Sequence, residues 1–248
     1  MKRFLTFAAL VLACMSLASA QGPQPKSQEE FDAIVAIQSA EDPAARAEAA
    51  KQLLLTFKDT EFKEMANYML MVSYQQLDDF ENMMLYGERT LEINPDNPGV
   101  LLQLAYAIPT RTRQFDLDKE EKLTKAEDFA TRALTLVPNM EKLNPNVTDE
   151  DWLIVKKDFM SQGNEALGII AAKRANYDQA VDFLTKAIGL QPQPSPMTHY
   201  HLAEAYMKAG KKAEATTSID QAITLGGVPL GSGADAAQNL KKEIDAMK

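Results

Sequence analysis

The chain is 248 residues long and 46% apolar, with 35 acidic against 26 basic side chains and a formal charge of −9. That excess of acid argues against a nucleic-acid partner, because phosphate binding is driven by clustered Lys and Arg, and it reads as a solubility device. The one cysteine, Cys14, excludes an internal disulfide, and a chain cleaved beyond it has no thiolate metal ligand and no cysteine nucleophile.

Residues 1–20 read as an export signal. Lys2 and Arg3 form the positive end, Phe4 to Met15 the apolar stretch, and Ala18-Ser19-Ala20 a small-x-small cleavage site before Gln21. The apolar stretch is too short to span a bilayer, and nothing later is long enough, so no integral membrane span is expected. Val11-Leu12-Ala13-Cys14 resembles the lipobox of bacterial lipoproteins, which would make Cys14 a lipid anchor. Cys14 comes early and a good site follows it, so cleavage after Ala20 is the favoured reading, with the protein periplasmic or secreted. Cleavage leaves 24 basic against 35 acidic residues, a charge of −11, and a core that must hold without disulfides.

Residues 21–27 form a Gly/Pro lead, expected to be disordered. Ser27 then caps a helix with Phe31, Ile34, Val35 and Ile37 at helical spacing, and Asp42-Pro43 starts a second helix running to about Phe57. Together they make an atypical hairpin over 28–60. Helices over about 61–77 and 79–93 follow, closed by the turn signal Asn94-Pro95-Asp96-Asn97-Pro98. Pro98 to Ile108 is the next helix. Counting back from Pro138 shows nine extra residues near 109–119, which must loop out, and another helix starts near Lys119. Asp149 to Arg174 reads as one unusually long helix whose first two turns overhang and are free to pack on the inserted loop. Helices at Asn176–Leu190, Pro196–Ala209 and Lys212–Leu225 lead to a flexible break over 226–233. A last amphipathic helix, Ala234 to Met247, turns Ala237, Leu240, Ile244 and Met247 toward its neighbours as a cap.

The stretch from Ser161 to Gly227 writes one 34-residue pattern nearly twice. From Ser161 it places Leu167 and Gly168 at 7 and 8, Tyr177 at 17, Ala180 at 20, Ala187 at 27 and Pro192 at 32. From Pro196 it places Leu202 and Ala203 at 7 and 8, Gly210 at 15, Ala215 at 20 and Ala222 at 27. Helices approach closely only where side chains are small, so Gly168 should face Ala180, and Ala203 should face Ala215. From Glu64 the pattern is looser: Leu70, Tyr74 and Phe80 fit, but Met71 and Met83 stand where small residues belong, so that pair should be splayed or shifted.

These residues resemble the tetratricopeptide repeat family. The resemblance implies an all-α, right-handed superhelical array of antiparallel helix hairpins, with about eleven helices and a C-terminal capping helix. Its units would be 64–97, 98–140 with the insertion, 149–194 with an extended first helix, 196–227, and the cap at 234–248. It also implies a concave face that binds a protein or peptide, and no chemistry. In the family, places 2, 5, 9, 12 and 13 of each first helix face that groove. Here they select Met65, Tyr68, Val72, Gln75 and Gln76; Leu102 and Tyr106; Glu165, Ile169 and Lys173; and Met197, Tyr200, Glu204, Met207 and Lys208. Arg111 and Arg113 in the insertion join them as recognition candidates. The carboxylate clamp of chaperone-cofactor members is not implied, since Tyr68 and Val72, or Glu165 and Ile169, stand where its Lys and Asn belong.

Candidate chemistry is thin. His199 and His201 are two apart on a helix and point to different faces, which is no zinc spacing; the expectation is His199 packed and His201 at the surface. Asp116 to Glu127 resembles a calcium loop but has Glu121 where the turn needs Gly. Neither a Gly-x-Ser-x-Gly elbow nor a phosphate loop occurs, so no catalytic residue, metal or cofactor is expected. The reading is a non-enzymatic exported scaffold. The alternative is a periplasmic carrier of a lipid or small apolar ligand, built on the Met-rich region and the long helix.

Overall fold

The computed structural model describes residues 22–142, 146–191, 193, 195–230 and 233–247. The export-signal reading, Cys14 and Pro192 therefore lie outside the described residues. Among the described residues, eleven α-helices make up almost all of the regular structure: α1 (Gln28–Ser39), α2 (Pro43–Thr56), α3 (Lys63–Gln76), α4 (Phe80–Ile93), α5 (Pro98–Arg111), α6 (Lys119–Leu136), α7 (Asp149–Lys173), α8 (Tyr177–Leu190), α9 (Pro196–Lys208), α10 (Lys212–Thr224) and α11 (Ala236–Asp245). A 3-10 turn follows α6 at Val137–Asn139. The one β-type contact among the described residues is an isolated bridge between Pro229 and Asp235. The chain is thus all-α, built from antiparallel helix pairs, in two compact units.

The first unit holds α1 to α4. Ser27 Oγ accepts from the Glu30 N–H at 3.1 Å and Asp42 Oδ2 from the Ala45 N–H at 2.8 Å, so the two starts are fixed by side-chain caps. Ile34 and Ile37 of α1, Ala47, Ala50 and Leu53 of α2, and Ala66 and Leu70 of α3 close one buried core. Glu64 Oε1 accepts from Asn94 Nδ2 at 2.8 Å and Asn97 Nδ2 at 3.0 Å, tying the turn after α4 back to the start of α3. Met71 and Met83 are buried, at 0% and 3% exposure, and α3 packs on α4.

The second unit runs from Leu101 within α5 to α11 and is ordered by small residues on α7 and α9. A Cβ on Gly168 would stand 2.6 Å from Leu184 Cγ and 3.4 Å from the Ala180 carbonyl, so α8 rests directly on that backbone. Ala203 and Ala215 are both fully buried in one cluster with Ile219 and Ala222. The Ser161 hydroxyl donates to the Ala187 carbonyl at 2.8 Å, a further tie between α7 and α8. Ala237, Leu240 and Ile244 of α11 close that cluster, with Met247 packed on its edge. Gly227, at a φ of +71°, abuts the carboxylate of Asp235, which caps α11 by accepting from Ala237 and Gln238, and the close approach leaves no room for a side chain there.

Three turns repeat one backbone device. Asp78, Ala175 and Gly210 have positive φ of 58°, 62° and 76°, and each stands at place 15 when counting starts from Glu64, Ser161 and Pro196. In each turn the next N–H bonds back to a carbonyl near the helix end: Asp79 to Tyr74, Asn176 to Ala171 and Lys211 to Tyr206, all at 2.9 Å.

One expectation changes at the end of a helix. Helix α5 continues past Ile108 through Pro109 to Arg111, so Arg111 sits on a last helical turn rather than in a loop. At the overhanging start of α7, Trp152 Nε1 donates to the Met140 carbonyl at 3.2 Å and Lys156 Nζ to the Pro138 carbonyl at 2.8 Å, so those turns rest on the residues after α6. The 112–118 segment is tied to the other end of α7, where Lys173 Nζ donates to the Thr112 carbonyl at 2.9 Å.

Candidate functional site

Helices α5, α7 and α9 of the second unit bring together side chains far apart in sequence. The Tyr106 ring of α5 meets His201 of α9 edge-on, with centroids 6.4 Å apart, and Tyr200 meets the same imidazole at 5.6 Å. Glu165 of α7 is 8% exposed, and its Oε1 has no hydrogen-bond partner. Gln103 Oε1 and His201 Nε2 are likewise sealed from water and unpartnered. Gln103 stands three residues from Tyr106, so the two are neighbours on one face of α5.

The electrostatics follow from burial. Burial raises the Glu165 carboxyl to about 7; the Thr198 hydroxyl opposes the shift and Asp158 adds to it. Burial lowers the His201 imidazole to about 4, helped by the Lys173 cation, so His201 is neutral at pH 7. The Tyr106 phenol is pushed up by burial and then by Glu165, and that of Tyr200 by burial and then by Glu204 and Glu243. Each tyrosine therefore has at least one acidic group near it. The expectation of a surface His201 is overturned: its Nε2 is sealed, while His199 is half-buried, with its own imidazole lowered by burial.

Not every groove candidate reaches this face. Leu102 is 2% exposed, and a Cβ on Gly163 of α7 would lie 3.2 Å from its Cδ2, so it packs helices together and offers nothing to a partner. Ile169 is buried too, at 5%. Tyr200, Glu204, Met197 and Met207 are half-buried on α9, and Lys208 is exposed at its last residue. Lys173 is half-buried and already engaged with Thr112. Arg111 and Arg113 are exposed, the latter donating its N–H to Asp116 Oδ2 at 3.1 Å. In the first unit, Tyr68, Met65 and Val72 are half-buried on α3, and Gln75 and Gln76 are exposed at its end. Gln76 Oε1 accepts from Arg46 Nη1 at 3.0 Å.

The acids of the calcium-like stretch have protein partners. Lys122 Nζ lies 3.3 Å from Asp116 and 2.9 Å from Asp118, and Arg174 binds Glu120 and Glu127. Among the described residues no group of three or more metal-ligating side chains comes together. No described helix is long and apolar enough to cross a membrane. The methionines expected to wall a carrier pocket act as core filler, with Met65 and Met69 packed on the first unit's core and Met71 and Met83 buried. A cleft of about 450 Å³ lies elsewhere, along Ala175 to Gln179 and Ala209.

Residues 162–194 and 198–225 match the tetratricopeptide repeat family model. No curated protein sequence matches the chain. Among solved structures, PilW, a widely conserved type IV pilus biogenesis factor, is similar over 88% of this chain and 85% of its own, at 17% identity and a TM-score of 0.60. MamA from Desulfovibrio magneticus RS-1 is similar over 80% of this chain and 96% of its own, at 12% identity and a TM-score of 0.58. TTC0263, a thermophilic TPR protein of Thermus thermophilus, is similar over 89% and 97%, at 16% identity and a TM-score of 0.53. At such identities the likeness is one of fold.

Proposed function

We propose that this chain is a tetratricopeptide-repeat protein and an exported, non-enzymatic scaffold that holds a peptide segment of another envelope protein. The binding face is that of α5, α7 and α9 in the second unit, with Tyr106, Tyr200, Glu204 and Lys208 as its contact residues. One observation carries the reading: two half-buried tyrosines, drawn from helices nearly a hundred residues apart, converge on one imidazole. Aromatic rings with polar tips supply large, rigid contact area at little entropic cost. The helices beneath them are fixed by Gly168, Gly163 and Ala203, so the protein loses little freedom on binding. Arg111 and Arg113 lie at one end of α5 and extend the contact.

Replacing Tyr106 and Tyr200 together by alanine should weaken capture of the native partner while leaving a cooperative melt close to that of the wild type. Loss of the melt would make those rings core residues and remove the face. The export reading is checked by intact mass. Cleavage after Ala20 gives a mature chain beginning at Gln21, whereas lipidation at Cys14 gives a longer chain carrying acyl mass.

A further inference from the structure

We infer that the buried polar cluster of α5, α7 and α9 is a receptor for a basic side chain, arginine or lysine, of the bound polypeptide. The inference rests on the peptide-binding reading above and names what the peptide must carry. Glu165 Oε1 and Gln103 Oε1 accept hydrogen bonds, and neither has a donor. A buried acceptor left unpaired is costly, so its retention calls for an explanation. The nearby ammonium of Lys173 donates to the Thr112 carbonyl and reaches neither oxygen. The Thr198 hydroxyl accepts from Gln191 Nε2 at 3.4 Å and is hydrogen-bonded to the Glu165 carboxyl, which leaves Oε1 as the unpartnered oxygen.

The charge around the cluster is mostly of the matching sign: the Lys173 cation acts on His201, while Asp158 acts on Glu165 and Glu204 and Glu243 act on Tyr200. The ring faces of Tyr106 and Tyr200 attract cations, and a guanidinium also brings several N–H donors in one plane. Tyr106 and Gln103 each keep part of their surface in water, so the cluster lies directly beneath partly exposed side chains. A bound cation at Glu165 also favours the ionised carboxylate, whose isolated burial is unfavourable.

The test uses the full mature chain as bait for a displayed library of random peptides, with soluble copies of the winners measured against wild type, Glu165→Gln and Glu204→Gln. The expected result is enrichment of peptides bearing Arg or Lys, whose affinity falls roughly tenfold or more with Glu165→Gln and less with the more exposed Glu204→Gln. Replacing the peptide's own Arg or Lys by Gln should lose a similar factor on wild type and nothing further on Glu165→Gln. Winners that lack a basic residue, or that bind Glu165→Gln equally well, overturn the receptor and leave peptide binding standing. A library that yields no binder overturns both. Glu165→Gln is nearly isosteric, and its circular dichroism melt separates a lost contact from a lost fold.

Discussion

The α3–α4 pair of the first unit and the α7–α8 pair of the second solve the same packing problem with opposite side chains. In the second, Gly168 lets α8 approach so closely that a single added methyl would meet Leu184 at 2.6 Å. In the first, Met71 and Met83 stand at the corresponding places, and both are buried. A flexible thioether can fill an irregular gap, whereas glycine demands close approach. The lesson is that the repeat's register outlasts its small-residue code. Asp78 keeps the positive-φ turn of Ala175 and Gly210 even where the packing residues have changed.

Exchanging the two solutions breaks the comparison most severely. Met71→Ala should leave a cavity and destabilise by about 3 kcal/mol in a denaturant titration, because its side chain is fully buried. Gly168→Ala should cost about 2 kcal/mol by forcing Leu184 aside. If Met71→Ala is tolerated and Gly168→Ala is not, the first pair is loosely packed and the equivalence of the two solutions fails.

Protonation sharpens the contrast, since the second unit buries an opposed acid and base. The Glu165 carboxyl goes from an ordinary 4.5 to about 7 on folding, so its contribution is fully present below 4.5 and is lost as pH rises through about 7. The His201 imidazole goes from 6.5 to about 4, so its contribution is present above 6.5 and is lost as pH falls through about 4. Between these limits the two offset each other, and wild-type stability should vary little. Glu165→Gln should unmask the histidine, giving a protein that loses about 2 kcal/mol on acidification from pH 7 to 4.5. His201→Gln should show the reverse slope. Tyr106, Asp158 and Lys173 face the pair and set the exact midpoints. Parallel pH slopes in the two variants would mean that these groups are solvated.

The smallest effect lies in the shared turn. Ala175 adopts a φ of 62°, which strains any residue with a Cβ. Ala175→Gly should therefore raise stability by about 0.5–1 kcal/mol in the same titration, as Gly210 already has the residue its turn prefers. A loss would show that backbone freedom in the unfolded chain outweighs the strain.

Much of the fold was legible because its causes are local. Ser27 and Asp42 cap, Asn94 to Asn97 turn, and Gly168 and Ala203 pack, each announced by residue type and spacing. The end of α5 was not, since proline usually stops a helix. Pro109 lies in the last turn, and the Thr112 N–H still reaches the Ile108 carbonyl at 3.0 Å, so little is lost by its missing donor. Gly163 was missed because it meets Leu134 of α6 and Leu102 of α5, a three-helix junction that no single repeat encodes. The pairing of Glu165 and His201 with Tyr106 was hidden for the same reason. One signal pointed to it: Glu165 is the acid beside the apolar run Ala166 to Ala171. The groove positions implied by the resemblance mix contact and packing roles, as half-buried Tyr200 and buried Leu102 illustrate.

Photo-crosslinking in the native cell tests the binding face most directly, with a reactive residue placed at Tyr200 or Glu204 and, for contrast, at exposed Thr217 on α10. The account predicts a discrete protein adduct from Tyr200 and Glu204 and none from Thr217. An adduct from Thr217 alone would move the binding surface to the other side of the hairpin and contradict it.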